Sequence, residues 1–344
     1  MLRLLVRNTR LAVFHASRAA GLSRLVGDSA WRCRHLLILC HHGFSIEDEH
    51  FWNRDLFQSP ETLRSRLEAL RVLKANVLPL DEALRRLYAR TLPHRAVTLT
   101  FDDGFHNFFR VAHPLLREFN YPATVYLSTY YCDRQLPMFP PTLGYLLWKG
   151  KEGKLPDFAS AFTDNNDSLN SGYARHHTLT AVLRRAEEEG WTVTDKHEFL
   201  HRLASTLRVD FDRLISLRLF HLMTPGEVAE VARAEVAIEL HTHRHRSPRD
   251  RELYIREIKE NAAAIQRITG VQPRYFCYPS GVYRRDFEEC LAACGVCSAT
   301  TCYPALAAPT SNPLVLPRFL DTDLNPAVVF ESWVTGVGHL VRRR

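Results

Sequence analysis

The residues best suited to chemistry in this chain fall into three short motifs, each directly after an apolar segment. The motifs are HHG at residues 41–43, FDDG at residues 101–104 and HTHRH at residues 241–245. Adjacent carboxylates such as Asp102 and Asp103 repel each other, and a bound divalent cation offsets that repulsion. Imidazole is the commonest metal ligand at neutral pH, and two histidines plus one carboxylate with an open position form a catalytic zinc site. The motifs together predict a metal-dependent hydrolytic site.

The residue types also leave plainer interpretations open. Asp-Asp-Gly is typical of a helix N-cap or a turn, and HTHRHRSPR is typical of a basic surface turn. In an extended segment His241, His243 and His245 share one face, so their spacing includes all three as metal ligands. The choice among them does not follow from the spacing.

The elements that must position these motifs alternate between strand-like and helix-like segments. Apolar and β-branched stretches predict strands at residues 36–40, 96–100, 123–128, 236–240, 275–277, 296–301 and 315–318. Helical spacing predicts helices at residues 60–76, 81–89, 106–118, 178–190, 195–208, 224–234, 251–269 and 286–294. Repeated strand–helix units imply parallel strands covered by helices. The predicted fold is α/β, a (β/α) barrel of about seven parallel strands.

Barrels carry their chemistry at the carboxyl ends of the strands, and the polar residues here obey that rule. LLILC runs into His42, AVTLT runs into FDDG, and VAIEL runs into HTHRH. The strand at residues 275–277 runs into the YPSG turn at residues 278–281. We therefore expect these four groups to meet at one mouth.

Two segments depart from the alternation. Residues 1–30 are basic, and a helical spacing there predicts an amphipathic helix from Leu2, Leu5, Thr9, Ala12, Val13 and Ala16. This helix is either an anchor on anionic lipid or a helix packed against the barrel. Residues 130–223 are predicted to be a helical insertion, with an exposed polar loop at 163–172, inside a single domain spanning residues 31–344.

Composition excludes several classes of protein. Hydrophobic residues make up 46% and charged residues 24%, which excludes disorder as the main state. The net charge of +7 is spread along the chain, with a clear run only at residues 342–344, which argues against nucleic-acid binding. Residues 1–26 lack a clear secretory signal, so we expect a cytoplasmic protein with reduced thiols. Peripheral contact with the inner face of the membrane through the basic N-terminus is a further expectation.

Three motifs in their order along the chain resemble a known family. TFDDG at 100–104, HTHRH at 241–245 and FCYPSG at 276–281 are similar to the first three motifs of the NodB-like polysaccharide deacetylases, family 4 of the carbohydrate esterases. The resemblance spans residues 36–320 apart from the insertion. It implies a distorted (β/α) barrel that removes N-acetyl groups from an amino-sugar glycan or glycan precursor, polymeric or lipid-linked. It also implies one divalent metal ion, zinc first, with cobalt, manganese or nickel as alternatives.

The resemblance assigns roles by position. Asp103, His241 and His245 match the metal ligands, Asp102 matches the general base, and Thr242 falls on a supporting position. His243 then falls on a variable position. Residues of the third motif are expected to contact the substrate or its oxyanion: Tyr278, Ser280 and Gly281.

The chain also departs from the family pattern. Cys277 stands where the commoner third motif has arginine, so another cation must tune Asp102. The candidates are Arg244, Arg274 and Arg318. The family usually has a Leu-x-His motif near the C-terminus, and this chain offers no convincing match to it. His42 resembles the histidine of a Tyr-His element in biofilm-type deacetylases, with His41 in place of the tyrosine, and is the predicted general acid.

Two other functions remain alternatives. The same barrel supports a metal hydrolase of another amide or ester, because a fold does not determine a substrate. A non-catalytic glycan-binding homologue is the other. Asp102 discriminates between an enzyme and a non-catalytic homologue, because a carboxylate that is not a metal ligand is needed only for turnover. The aromatic residues after the third strand are either a sugar-stacking wall or core: Tyr121, Tyr126, Tyr130, Tyr131, Phe139 and Trp148.

Overall fold

A computed structural model describes residues 2–150, 152 and 169–341, with side chains from residue 9 onward. Residues 342–344 and most of the predicted loop at 163–172 lie outside the described residues. Within the described ranges, no helix is long and apolar enough to cross a membrane.

Within the described residues, ten strands form the sheets. They are β1 (Leu37–His41), β2 (Gly43–Phe44), β3 (Phe57–Gln58), β4 (Asn76–Val77), β5 (Ala96–Asp103), β6 (Ala123–Leu127), β7 (Val236–Leu240), β8 (Tyr275–Cys277), β9 (Ser298–Thr300) and β10 (Phe319–Leu320). The main sheet has the order β10-β1-β5-β6-β7-β8-β9, with β4 beside β5, and every pair in it is parallel. Strands β2 and β3 form a separate pair. The predicted barrel of about seven parallel strands is confirmed.

The two edges of the main sheet meet through one stretch of chain. Leu316 forms a parallel bridge with Thr300 of β9, and three residues later the same stretch enters β10, which pairs with β1. The sheet therefore curls into a distorted barrel. Strands β1, β5 and β6 are buried along their whole length, as expected for parallel strands covered on both faces.

Helices cover the barrel and form the described part of the insertion. They are Leu2–Ala19, Leu22–Gly27, Glu49–Trp52, Pro60–Val72, Leu80–Tyr88, His113–Phe119, Phe139–Lys149, Gly172–Glu188, Val193–Thr206, Phe211–Ser216, Pro225–Arg233, Arg251–Thr269, Phe287–Ala293, Ala327–Thr335 and Val337–Val341. Several begin at a side-chain cap, such as Ser59, Thr192, Thr224 and Asp250, which accepts a backbone N–H of the first turn.

Three predicted elements differ from the structure. The helix predicted at 60–76 ends at Val72, and Asn76 instead begins β4. The helix predicted at 106–118 begins as a π-helical turn at Phe108–Ala112 before the helix His113–Phe119. The strand predicted at 315–318 is wrong in place, since Pro313–Val315 is a 3₁₀ turn and β10 begins at Phe319. Pro317 has no N–H to donate to a neighbouring strand, so regular pairing with β1 starts only after it.

Glu239 on β7 is expected to make the stability of the barrel depend on pH. The residue is 8% exposed, and its carboxylate accepts the backbone N–H groups of Arg274 and Tyr275 at 2.7 and 2.8 Å, just where β8 starts. Burial raises the pKa of Glu239 to about 7, although those two hydrogen bonds favour the charged form. A carboxyl group with a raised folded pKa favours folding below its unfolded pKa, and that contribution is lost as pH rises through the folded pKa.

We therefore expect Glu239→Gln to raise the melting temperature at about pH 8 but not at about pH 5. The corresponding gain in the free energy of unfolding at about pH 8 is at most about 3 kcal/mol. Glutamine keeps an acceptor oxygen for both N–H groups and carries no charge to bury. The matched control is Glu230→Gln, at an exposed position on the helix Pro225–Arg233. Equal effects of the Glu239 change at both pH values would contradict this account.

Candidate active site

Asp103, His241 and His245 converge at the carboxyl ends of β5 and β7. Asp103 Oδ1 lies 3.2 Å from His241 Nε2 and 3.1 Å from His245 Nε2, and the three donor atoms lie within 4.8 Å of one another. The carboxylate and His241 are buried, while His245 is partly exposed. The strand-end rule thus brings together two motifs that are 138 residues apart in the chain.

The backbone turns sharply at these residues. Asp103, Thr242 and His245 all have positive φ values, of 73°, 61° and 53°. Non-glycine residues rarely adopt this conformation, and it recurs at functional sites. The turn at Asp103 directs its carboxylate toward the histidines, while Asp102, one residue earlier, points into the barrel. Thr242 supports the second turn, because its hydroxyl accepts the N–H of Arg246 at 3.0 Å.

A second layer of hydrogen bonds orients His241. Its Nδ1 lies 2.9 Å from the carbonyl oxygen of Cys277, which requires the proton on Nδ1 and leaves Nε2 as an electron-pair donor. Its backbone N–H donates to Asn261 Oδ1 at 2.9 Å. The Asn261 side-chain NH₂ donates in turn to Leu127 O and Thr129 Oγ1 at 2.9 and 3.0 Å.

Sequence reasoning missed Asn261. A signal was present, because on the helix Arg251–Thr269 this polar residue shares the buried face with three apolar residues at helical spacing: Tyr254, Ile258 and Ile265. A buried polar group must find a hydrogen-bonding partner. A polar residue on that face therefore marks the place where the helix meets the site.

The donor set fits a divalent cation. A metal about 2.0–2.2 Å from each donor would place those donors roughly 3–3.5 Å apart, close to the separations from Asp103 to the two histidines. Two other groups have suitable spacing: Cys40 with His42 and Asp102, and Asp102 with His241 and Cys277. Both depend on Asp102, whose two oxygens already accept from a guanidinium. Burial raises the pKa of Cys40 and Cys277, which keeps them as thiols rather than metal-binding thiolates.

Arg318 is the cation that holds Asp102. Its Nη1 donates to Asp102 Oδ1 at 2.8 Å and its Nη2 to Oδ2 at 2.7 Å, a bidentate pair with the arginine 0% exposed. Burial alone would raise the pKa of Asp102, but the Arg318 charge and hydrogen bonds lower it far below the usual range. The thiols of Cys277 and Cys40 also donate to Oδ2, at 3.3 and 3.5 Å. Asp102 is therefore a fixed carboxylate that is ionised at neutral pH, beside the metal-binding group.

The other arginine candidates lie elsewhere, which corrects two expectations. Arg274 is exposed at the start of β8, and its Nη2 contacts Cys297 Sγ at 3.2 Å. Arg244 pairs with Glu257 and Glu260 at 3.0 and 2.6 Å. Neither has a contact with Asp102, because Arg274 lies before the amino end of β8 and Arg244 is held by two carboxylates of the helix Arg251–Thr269.

His42 lies beside Asp102, close to the same carboxylate oxygen that accepts from Arg318 Nη2. Its Nε2 is 3.7 Å from Asp102 Oδ2, and its side chain is 19% exposed. His41 points away from the site, where its Nδ1 lies 2.7 Å from Gln58 Oε1 and its ring stacks on Phe101. His42 is thus the histidine of the HHG motif that borders the mouth.

The third motif contributes less than expected. The ring of Tyr278 is buried and its hydroxyl donates to Leu314 O at 2.9 Å, so the structure corrects its predicted contact with substrate. The Gly281 N–H donates to Tyr278 O at 3.0 Å within the turn, so it does not face a substrate. Ser280, exposed with φ of 54°, is the residue of this turn that faces solvent.

His243 does not join the metal-binding group. Its Nδ1 lies 2.8 Å from Thr129 Oγ1 and its ring packs edge-on against Tyr130. Among the aromatic residues singled out in the sequence, Tyr126 of β6 and Phe139 are buried in the core, whereas Tyr130, beside His243, and Tyr131 are partly exposed. The core interpretation therefore holds for Tyr126 and Phe139.

We expect the metal-free chain to bind one Zn²⁺ per molecule, and His245→Gln to lose that binding while His243→Gln keeps it. His245 Nε2 faces Asp103, but the His243 ring is engaged with Thr129. Metal content after dialysis gives the stoichiometry. The melting temperature gives a second readout, because a ligand at about a thousand times its Kd stabilises the folded chain by about 4 kcal/mol. Equal losses in both variants would contradict the ligand assignment.

Comparisons with known proteins agree with this geometry. The sequence matches the polysaccharide deacetylase family model over residues 89–299. No curated protein sequence matches the chain. Three solved structures share the fold, the first being the deacetylase PplD of Streptococcus pyogenes in complex with acetate, at 16% sequence identity and a TM-score of 0.55. The second is IcaB of Ammonifex degensii, at 17% identity and a TM-score of 0.54. The third is a de-N-acetylase of Aggregatibacter actinomycetemcomitans, at 14% identity and a TM-score of 0.54. The alignments cover 84%, 88% and 87% of this chain and 93%, 97% and 99% of those chains.

Proposed function

The chain belongs to the polysaccharide deacetylase family, and on that premise we propose that it is a metal-dependent hydrolase that removes N-acetyl groups from an amino-sugar glycan. The substrate is a polymeric glycan or a lipid-linked precursor, and the metal is one divalent ion, zinc first. The protein acts in the cytoplasm, in keeping with the sequence-based expectation.

One observation carries the proposal. Asp102, ionised and held by Arg318, lies directly beside a separate carboxylate and two histidines that can hold a cation. A site that only bound metal or glycan would not need a second, non-ligating carboxylate buried at the cost of a buried arginine. Hydrolysis needs such a carboxylate, because an attacking water must give up a proton.

The side chains divide the reaction among them. A divalent cation held by Asp103, His241 and His245 would supply Lewis acidity that polarises the amide carbonyl and lowers the pKa of water. Asp102 accepts the proton of the attacking water. The Ser280 peptide N–H stabilises the developing oxyanion. His42 donates a proton to the leaving amine nitrogen, and acetate and a free amino sugar are released.

His42→Gln tests the general acid. We expect amide hydrolysis to fall about 10²–10⁴-fold, because an amine leaves poorly without a proton. Hydrolysis of 4-nitrophenyl acetate should fall far less, since a nitrophenolate leaves unprotonated. Zinc stoichiometry should not change, because His42 is not one of the three proposed ligands. Equal losses on the amide and on the aryl ester would assign His42 a different role.

The function itself is tested by acetate release. N-acetylglucosamine oligomers are incubated with the full chain after chelation and again after zinc, cobalt, manganese or nickel is restored. We expect acetate release only with metal. Release from O-acetylated sugars but not N-acetylated ones would identify an esterase. Glycan binding without release, at full metal occupancy, would identify a non-catalytic homologue.

A further inference from the structure

The N-terminal helix Leu2–Ala19 packs on the barrel through the face that the sequence pattern did not select. Phe14 and Ser17 are buried, at 7% and 8% exposure, and Phe14 packs with Val328 and Val337. The described residues of the predicted apolar face are all exposed instead: Thr9, Ala12, Val13 and Ala16. Tertiary packing therefore buries Phe14 and Ser17 and leaves Ala12, Val13 and Ala16 exposed.

The next helix also exposes apolar side chains. Leu22 and Leu25 of the helix Leu22–Gly27 are 47% and 70% exposed, and residues three apart lie on the same side of a helix. The two helices pack against each other. We call Val13, Leu22 and Leu25, with Arg18 and Arg24, the N-terminal surface. Isolated exposed apolar residues are ordinary, but this group is concentrated on two contiguous helices.

Charge surrounds the same residues. Residues 1–27 contain five arginines and no aspartate or glutamate. Arg18 and Arg24 are 61% and 88% exposed. They also line a cleft of about 600 Å³, together with Lys74 and Arg95. Two acidic residues of this cleft, Asp28 and Glu331, pair with its arginines. Four cationic side chains therefore face two carboxylates, and the cleft carries a net positive charge.

We propose that the N-terminal surface binds peripherally to a bilayer of anionic phospholipids. Exposed leucines flanked by arginines are the chemistry of a helix that lies in the membrane interface, with apolar side chains among the acyl chains and cations among the headgroups. A second copy of the chain fits less well. A symmetric contact through this surface would bring a cluster of cations that outnumbers its acidic residues against the same cluster of the other copy.

The N-terminal surface and the candidate active site lie at different ends of β5. Asp28, which follows the helix Leu22–Gly27, pairs at 2.6 Å with Arg95, directly before the first residue of β5. Asp102 and Asp103 are the last residues of that strand, about 23 Å away along eight extended residues. Changes at Leu22 and Leu25 should therefore not alter turnover of a soluble substrate.

The test is co-sedimentation of the full chain with vesicles of phosphatidylcholine and phosphatidylglycerol, against pure phosphatidylcholine. We expect binding to the anionic vesicles, weakened by salt. The Leu22→Gln/Leu25→Gln double variant should lower the partition coefficient by about tenfold or more. Each of Arg18→Gln and Arg24→Gln should lower it about fivefold. The matched control is Val271→Gln, at a position that is 66% exposed beyond the helix Arg251–Thr269.

Several outcomes would overturn the proposal. Absence of binding to anionic vesicles would do so, and so would equal binding by the double leucine variant and the Val271→Gln control. Light scattering that shows a dimer, lost in the double leucine variant, would assign the surface to a second copy. Vesicle binding is read without turnover, so failure of the proposed deacetylase function would leave these results unaffected.

Discussion

The Asp102→Asn variant should lose acetate release by about 10²–10⁴-fold or more while it still binds one metal ion per chain. Asparagine has nearly the shape of aspartate and can still accept a hydrogen bond from Arg318. Its amide cannot take a proton from water. The metal is expected to remain because the proposed ligands are Asp103, His241 and His245. Steady-state acetate release and metal content, measured on the same preparation, check both halves of the prediction.

The matched variant is Asp103→Asn, one residue further along β5. It should lose metal and activity together, since Asp103 Oδ1 faces both ligand histidines. Asp102→Asn leaves the buried charge of Arg318 uncompensated, so its assays belong well below its melting temperature. If Asp102→Asn retained wild-type turnover with metal bound, Asp102 would not be the base. If it lost the metal as well, the division between base and ligands would be wrong.

Arg318→Met should destabilise the fold by about 3–5 kcal/mol and reduce acetate release sharply. Removal of the guanidinium leaves the Asp102 carboxylate buried without a counter-charge, so burial raises its pKa and the base becomes protonated. The variant also loses the hydrogen bonds of Arg318 to Thr301 O and Thr100 Oγ1, both 3.1 Å. Chemical denaturation gives the unfolding free energy, and the pH dependence of acetate release should shift its acid limb upward.

The pair also has a defined pH dependence. Because the folded pKa of Asp102 is lowered, its stabilising contribution is present above the unfolded pKa and is lost as pH falls toward the folded pKa. The Asp102→Asn/Arg318→Met double variant should therefore be less destabilised than the sum of the single variants. Arg274→Met is the matched control, since exposed substitutions usually change stability by less than about 0.5 kcal/mol. If Arg274→Met lowered the free energy of unfolding as much as Arg318→Met, the loss could not be assigned to the pair of Arg318 with Asp102.

Much of the fold could be read directly from the chain. Strands such as Val236–Leu240 and Tyr275–Cys277 were predicted at their observed bounds, because runs of apolar residues ending in polar turns are typical of buried parallel strands. The bounds of β10 and of the helix that follows FDDG were not predicted correctly. Those elements depend on Pro317 and on a π-helical turn, whose effects on pairing and helix geometry are set by neighbouring strands and helices.

The sequence by itself determined which residue types end which strands, and hence that Asp102, Asp103 and two or three histidines would meet at one mouth. That inference is local, because parallel strands place their carboxyl ends together whatever packs around them. The same spacing could not choose between His243 and its neighbours or between Arg244, Arg274 and Arg318. Only the tertiary structure decided these points. The positive φ values after β7 turn His243 toward Thr129, and closure of the barrel carries Arg318, 216 residues from Asp102, into the site. Side-chain direction and long-range closure depend on contacts between distant segments, which periodicity along one chain does not encode.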